Sequence, residues 1–259
     1  MRYVRQDKYL DAKLTTIRPR AQMLAMLGGG SAQAAGVHVG GMSGCLCRSV
    51  AAARSKVASL SKRAKVSGGR LEFIPPQIPT RVERPPEGEG WVHEVKLDGY
   101  RTQIIIDKGG VRLYSKNGRD WTTKYWPIAL AVELPCRSAI IDGEVIVPGE
   151  QGAPDCPALE AAIWNEPSRL VFVAFDILHL DGRNLTSLPL LRRKQALWQL
   201  VEHGLGKIQY SEHFEGNALA IFRAIDKVEI IISKRTDSRY RSGPSNTWLK
   251  AKYFEEAGS

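Results

Sequence analysis

The stretch Glu94-Val-Lys-Leu-Asp-Gly-Tyr-Arg101 sets a lysine at the end of a β-type run, an Asp-Gly pair behind it and an arginine two residues further on. Asp-Gly is a turn signature, because Asp caps its own backbone and Gly accepts backbone angles that other residues avoid. The spacing therefore predicts an amine at a strand end, a tight turn, and a guanidinium close by. Taken alone, Lys-x-Asp-Gly also suits an ordinary surface hairpin, and the rest of the chain decides its weight.

Short β-type runs surround this stretch at hairpin spacing: Trp91 to Lys96, Thr102 to Asp107 and Val111 to Ser115, with Lys108-Gly-Gly as the turn between the last two. A second group of strands is expected at Ala139 to Val147, Leu170 to Leu178, Lys207 to Ser211, Val228 to Ser233 and Thr247 to Lys252. Helical spacing appears over Pro189 to His203, with Leu190, Leu191, Leu197, Trp198 and Val201 apolar, Ser187 as a candidate cap and Gly204 as a stop. Asn217 to Lys227 carries a stripe of Leu219, Phe222 and Ile225, and Lys124 to Leu134 is a weaker helix. Strands and helices without strict alternation predict an α+β domain and argue against a doubly wound parallel sheet. Ahead of Trp91, Phe73-Ile-Pro-Pro-Gln-Ile-Pro79 and Pro85-Pro-Glu-Gly-Glu-Gly90 read as a turn-rich lead-in.

The 259 residues carry a net charge of +10, which by itself suggests a nucleic-acid partner. Its distribution is uneven. Residues 1–70 hold 13 lysines and arginines against Asp7 and Asp11, which leaves 24 basic against 25 acidic groups in the remainder. That first segment is rich in Gly, Ser and Ala and has no aromatic residue after Tyr9, so it is expected to be a basic, flexible, disordered arm or linker. Residues 71–259 are expected to form the domain. Four cysteines, Cys45, Cys47, Cys136 and Cys156, lack the paired spacing of a zinc site and are too few for a disulfide scaffold, so a cytoplasmic setting is expected. The stretch Met23 to Cys47 is too interrupted by polar residues and glycines to span a membrane.

Six segments, read in order, resemble the motifs of the ATP-dependent DNA ligases. They are Lys96-Leu-Asp-Gly-Tyr-Arg101, Ser115-Lys-Asn-Gly-Arg-Asp-Trp-Thr122, Ile141-Asp-Gly-Glu-Val145, Phe172-Val-Ala-Phe-Asp-Ile-Leu178, Glu229-Ile-Ile-Ile-Ser-Lys-Arg235 and Trp248-Leu-Lys-Ala-Lys252. The Phe-Ile-Pro-Pro and Pro-Pro-Glu-Gly lead-in is similar to that of the bacterial ligase D type, and the resemblance covers about residues 71 to 253. Six motifs in one order carry far more weight than one. The resemblance implies an ATP-grasp-like nucleotidyl-transferase domain, two antiparallel sheets flanked by helices around a nucleotide cleft. It also implies sealing of nicked or broken double-stranded DNA in repair and recombination, by way of a lysyl-AMP intermediate.

By the same resemblance Lys96 is the nucleophile. Its amine must be neutral to attack, while a free lysine titrates at about 10.4, so neighbouring cations are expected to favour the neutral form. Arg101, Lys250 and Lys252 are implied as those cations and as contacts to the nucleotide, Glu94 as the residue beside the adenine and Phe175 as the aromatic stacked on it. Glu144 is implied as the ribose contact, Lys116 as a DNA-phosphate contact and Glu229 as the carboxylate for Mg²⁺. Taken singly, Phe175 also fits a core position, Glu144 a turn, and Lys250 with Lys252 the solvent face of an alternating strand. The implied partners are DNA, a Ku-like end-binding protein or a separate polypeptide that supplies a missing domain, and no membrane.

Three departures from the motif pattern stand out. The chain ends seven residues after Lys252, so an OB-fold domain is expected to be absent and activity impaired. Ile230 stands where the family usually has glycine, and Lys116 where it usually has arginine, which loses the planar fork that grips a phosphate. Two alternatives stay open: a non-catalytic nucleotide- or DNA-binding remnant of a ligase, for which these departures speak, and an RNA ligase or capping-type nucleotidyl transferase, against which the ligase D-type lead-in argues.

Overall fold

The computed structural model of the chain describes residues 70–149, 156–202, 206–218 and 230–252. The expectation of a flexible arm over residues 1–70 falls almost wholly outside these residues, as do Glu229, Gly204 and nearly all of the helix expected over Asn217 to Lys227.

The described strands form two sheets. In the first, the order is β1 (Gln77–Val82), β11 (Gly243–Lys252), β10 (Ile230–Arg235), β2 (Trp91–Val95) and β9 (Phe214–Glu215). In the second, it is β4 (Gly110–Ser115), β3 (Tyr100–Asp107), β5 (Ala139–Ile146), β6 (Val171–Leu180) and β7 (Arg183–Asn184), with β8 (Ile208–Tyr210) also paired to β6. The expectation of antiparallel sheets needs one refinement, since β1 runs parallel to β11 and β8 parallel to β6. Three α-helices, α1 (Trp126–Leu130), α2 (Cys156–Asn165) and α3 (Leu190–Val201), and the 3₁₀ turn Pro167–Arg169 complete the described elements.

β6 explains the layering. Its eight residues Val171 to Leu178 are all buried, so both faces of this strand are covered and its sequence is a continuous apolar run without alternation. On one face Ile104, Ile141, Phe172, Ala174 and Ile177 pack with Leu159 and Ile163 of α2 and Leu197 and Leu200 of α3. On the other, Ile105, Ile140, Phe175 and Leu178 meet Tyr240 and Trp248, which belong to β11 and the segment before it. The second sheet is thus the middle layer, with helices behind it and the first sheet in front.

Three elements depart from the sequence expectations. β1 lies inside the lead-in read as turns. It is an edge strand with a register shift at Pro79/Thr80, where a proline costs no ladder bond that the sheet needs. α2 was not expected, although Leu159, Ala162 and Ile163 supply helical spacing toward the core. α3 starts at Leu190 with Pro189 at its cap and no side-chain cap bond, so Ser187 does not serve as the cap.

Candidate active site

The stretch Glu94 to Arg101 crosses between the sheets. Glu94 belongs to β2 and Arg101 to β3, and the backbone N–H of Lys96 extends the β2 ladder by donating to the Ile230 carbonyl at 3.0 Å. Lys96 therefore sits where the chain leaves one sheet for the other. Its Nζ donates to the Leu97 carbonyl at 3.0 Å and stands 3.6 Å from Asp98, with 29% of the side chain exposed. Gly99 follows for a steric reason. A Cβ there would lie 2.3 Å from the Val145 carbonyl oxygen and 2.9 Å from Cγ of Glu144, so only glycine lets this turn press against β5.

The turn borders a cavity of about 570 Å³ between the sheets. Lys96, Glu94, Arg101, Glu144, Phe175, Lys116 and Lys250 all line it. Lys252, exposed at the far end of β11, is not among the lining residues, and Glu229 lies outside the described part of the chain.

Arg101 is less available than the sequence suggests. Its guanidinium holds Asp142 by two bonds of 2.7 Å, and Tyr240 donates its hydroxyl to the same carboxylate at 2.6 Å. The guanidinium carbon stands 4.4 Å from the centre of the Phe175 ring. Burial works against the charged form, but the Asp142 carboxylate outweighs it and the group stays firmly protonated. Arg101 thus lines the cavity with its charge already paired to Asp142.

The inner end of the cavity is a buried charge cluster. Lys194 of α3 donates to Oε1 of Glu94 at 2.7 Å, and Lys234 of β10 to Oε2 at 2.8 Å. Ser211 adds its hydroxyl to Oε2 at 3.3 Å. Burial would raise the Glu94 carboxyl, but the two ammonium groups prevail and hold it at about 2. Burial pulls Lys234 down despite Glu94, and its Nζ lies 4.5 Å and 4.2 Å from the ring centres of Phe175 and Trp248. This end presents a carboxylate that stays ionised, beside an aromatic ring with two cations 4.4 Å and 4.5 Å from its centre.

Glu144 behaves in the opposite way. Burial pushes its carboxyl up to about 7, against the pull of Arg101 and Lys96. Lys250, across the cavity on β11, is lowered by burial and then by the positive charges of Lys96 and Arg81. Among the described residues no three His, Cys, Asp or Glu side chains gather into a metal cage. With Glu94 tied to two ammonium groups, Glu144 is the cavity carboxylate without an ion pair among the described residues, and so sparse a set of carboxylates fits a Mg²⁺ ion that takes most of its ligands from phosphate and water, with Glu229 as its implied protein ligand.

The sequence reading missed Lys194 and the Arg101–Asp142 fork. A signal for Lys194 existed: Arg193 and Lys194 fall at the centre of the stripe Leu190, Leu197, Leu200 and Val201, where two charges have no place unless paired. Arg193 meets that need with Asp176, at 2.8 Å and 2.9 Å.

Residues 76–252 match the family model described as ATP dependent DNA ligase domain. A curated relative, the multifunctional non-homologous end joining protein LigD of Pseudomonas aeruginosa, is 35% identical over 208 residues, which are 77% of this chain and 24% of that protein. The LigD of Mycobacterium tuberculosis, named as a non-homologous end joining DNA repair protein, is 34% identical over 168 residues, 63% of this chain and 22% of that one. The chain thus spans about a quarter of the length of these relatives. The solved structure of mycobacterial DNA ligase D complexed with ATP and MES superimposes with a TM-score of 0.62 at 30% identity, covering 71% of this chain and 62% of that one. No helix among the described residues is long and apolar enough to cross a membrane. With its two-sheet fold, the cavity at their junction and a family match over most of its length, the chain belongs to the ATP-dependent DNA ligase family.

Proposed function

We propose that the chain takes AMP from ATP onto Lys96 and passes it to a DNA strand break, as the covalent step of an ATP-dependent ligase. The observation that carries this reading is the placement of Lys96 at the junction of the two sheets, on a cavity lined by Glu94, Phe175, Glu144 and Lys250. In this reading the base lies at the inner end, against Phe175, with Glu94 accepting from its amino group. Glu144 accepts from a ribose hydroxyl. Lys250 faces the phosphates, where a fixed cation stabilises the charge of the transferring group.

Lys96 attacks the α-phosphorus through its neutral amine, the N–P bond forms, and the bond to pyrophosphate breaks as the amine loses its proton. Glu229, implied by its motif, would hold Mg²⁺ at the triphosphate, where the ion would supply charge neutralisation. Lys116 and Arg119, which line the same cavity next to Trp121, are suited to the phosphates of the DNA strand. The relatives named as non-homologous end joining proteins support this reading, with broken double-stranded DNA as the proposed substrate.

The test is incubation of the full chain with ATP labelled at the α-phosphate and with Mg²⁺, followed by acid treatment. An acid-labile label on the protein that pyrophosphate reverses to ATP is the expected result. ATP that binds without leaving any covalent label on the protein would favour a binding role without chemistry.

A further inference from the structure

Lys194 lies behind the cavity wall, outside the six motifs, and is 1% exposed. It joins three elements: besides the Glu94 bond, its Nζ donates to the Ser211 carbonyl at 3.1 Å and to the Phe175 carbonyl at 3.4 Å. Packing does not account for a lysine there, since a methionine would cover the same apolar surface without the cost of burying an ammonium group. Nor is Lys194 among the residues that line the cavity, so any effect on a ligand passes through Glu94 and Phe175.

We infer that Lys194 is a positioning residue that fixes the Glu94 carboxylate at a set distance from Phe175, and so selects a purine bearing an amino group over one bearing a carbonyl at the same position. The inference rests on the nucleotide reading above. An ionised carboxylate only accepts hydrogen bonds, so it pairs with an amino N–H and repels a carbonyl oxygen. Its power to discriminate depends on being held in place: Lys234 and Ser211 hold only Oε2, and a carboxylate free to pivot about that oxygen opens room for water or for the wrong base. Lys194 supplies that hold on Oε1, and through the Phe175 carbonyl it ties the carboxylate to the wall on which the base would lie.

The experiment measures binding of ATP and of GTP to the full chain by calorimetry, for the unaltered protein, Lys194→Met, Glu94→Gln and the double variant. The unaltered chain is expected to prefer ATP, and Lys194→Met to lose about tenfold or more of that preference, the equivalent of one hydrogen bond to a charged group. In the Glu94→Gln background the same change is expected to have little further effect. An ATP-to-GTP ratio that Lys194→Met leaves intact would overturn the inference, as would an equal loss of both nucleotides or an undiminished effect in the Glu94→Gln background. Should Lys194→Met fail to fold, Lys194→Gln, which keeps a donor but no charge, is read by the same outcomes. An unaltered chain that binds neither nucleotide removes the nucleotide reading itself, and this inference with it.

Discussion

Arg101 and Asp142 face each other from β3 and β5 as a two-bond fork, both distances 2.7 Å, with Asp142 almost wholly buried. The Tyr240 hydroxyl closes the far side of the carboxylate, and Gln77 of β1 donates its backbone N–H to that hydroxyl at 3.0 Å. One buried ion pair thus links the middle layer to the first sheet beneath the cavity. Removing one partner strands the other charge. Asp142→Ala is expected to cost about 3–5 kcal/mol, and Arg101→Met combined with Asp142→Leu much less than the sum of the single changes. Urea unfolding of the two single variants and the double variant checks this.

The Asp-Gly pair of β5 has a packing origin of its own. A Cβ on Gly143 would stand 2.4 Å from Cζ of Phe172 and 2.5 Å from the Val173 carbonyl oxygen, because β6 passes close at this point. Gly143→Ala is expected to lose about 1–3 kcal/mol through forced movement of β6, visible as a lower urea midpoint. An unchanged midpoint would show that the two strands separate at no cost.

Glu144 gives the fold a pH signature. Its carboxyl is raised to about 7, so between its ordinary range near 4.5 and 7 the folded chain holds a proton that the unfolded chain has lost. Stability from this group is therefore full below about 4.5 and falls as pH rises toward 7. Glu144→Gln is expected to stabilise the chain at pH 8 relative to the unaltered protein, by up to about 3 kcal/mol, and to change little at pH 4.5. Unfolding at the two pH values, compared between the proteins, measures it.

Phe175 is nearly buried and belongs to a core cluster, yet it also lines the cavity, with Arg101 and Lys234 close to its ring. Phe175→Leu keeps apolar volume and removes the ring face. ATP affinity is expected to fall about tenfold, in line with about 1–3 kcal/mol for base–aromatic stacking. Calorimetry on a variant with unchanged urea midpoint separates loss of stacking from loss of the core.

The local pattern of the sequence carries much of this architecture. The β3–β4 hairpin turns at Lys108–Gly109 as its spacing requires, and the continuous apolar run of β6 reflects its two covered faces. Long-range relations were not legible in the same way. β1 pairs with β11 across more than 160 residues, and a proline-rich local pattern conceals a strand that only its partner stabilises. The candidate site divides along the same line. Residues carried by motifs, such as Lys96, Glu94 and Glu144, do line one cavity, whereas Lys252 on the same alternating strand as Lys250 does not. Lys194 and Asp142 acquire their meaning only from the partners that folding brings to them.

The central claim is that Lys96 forms the bond to AMP. Peptide mapping by mass spectrometry, after incubation of the chain with ATP and Mg²⁺, tests it most directly. The account expects one AMP on the peptide containing Lys96, and none on the Lys96→Arg protein although that protein remains folded and binds ATP. AMP found on Lys234 or Lys250, or an undiminished adduct in Lys96→Arg, would contradict it.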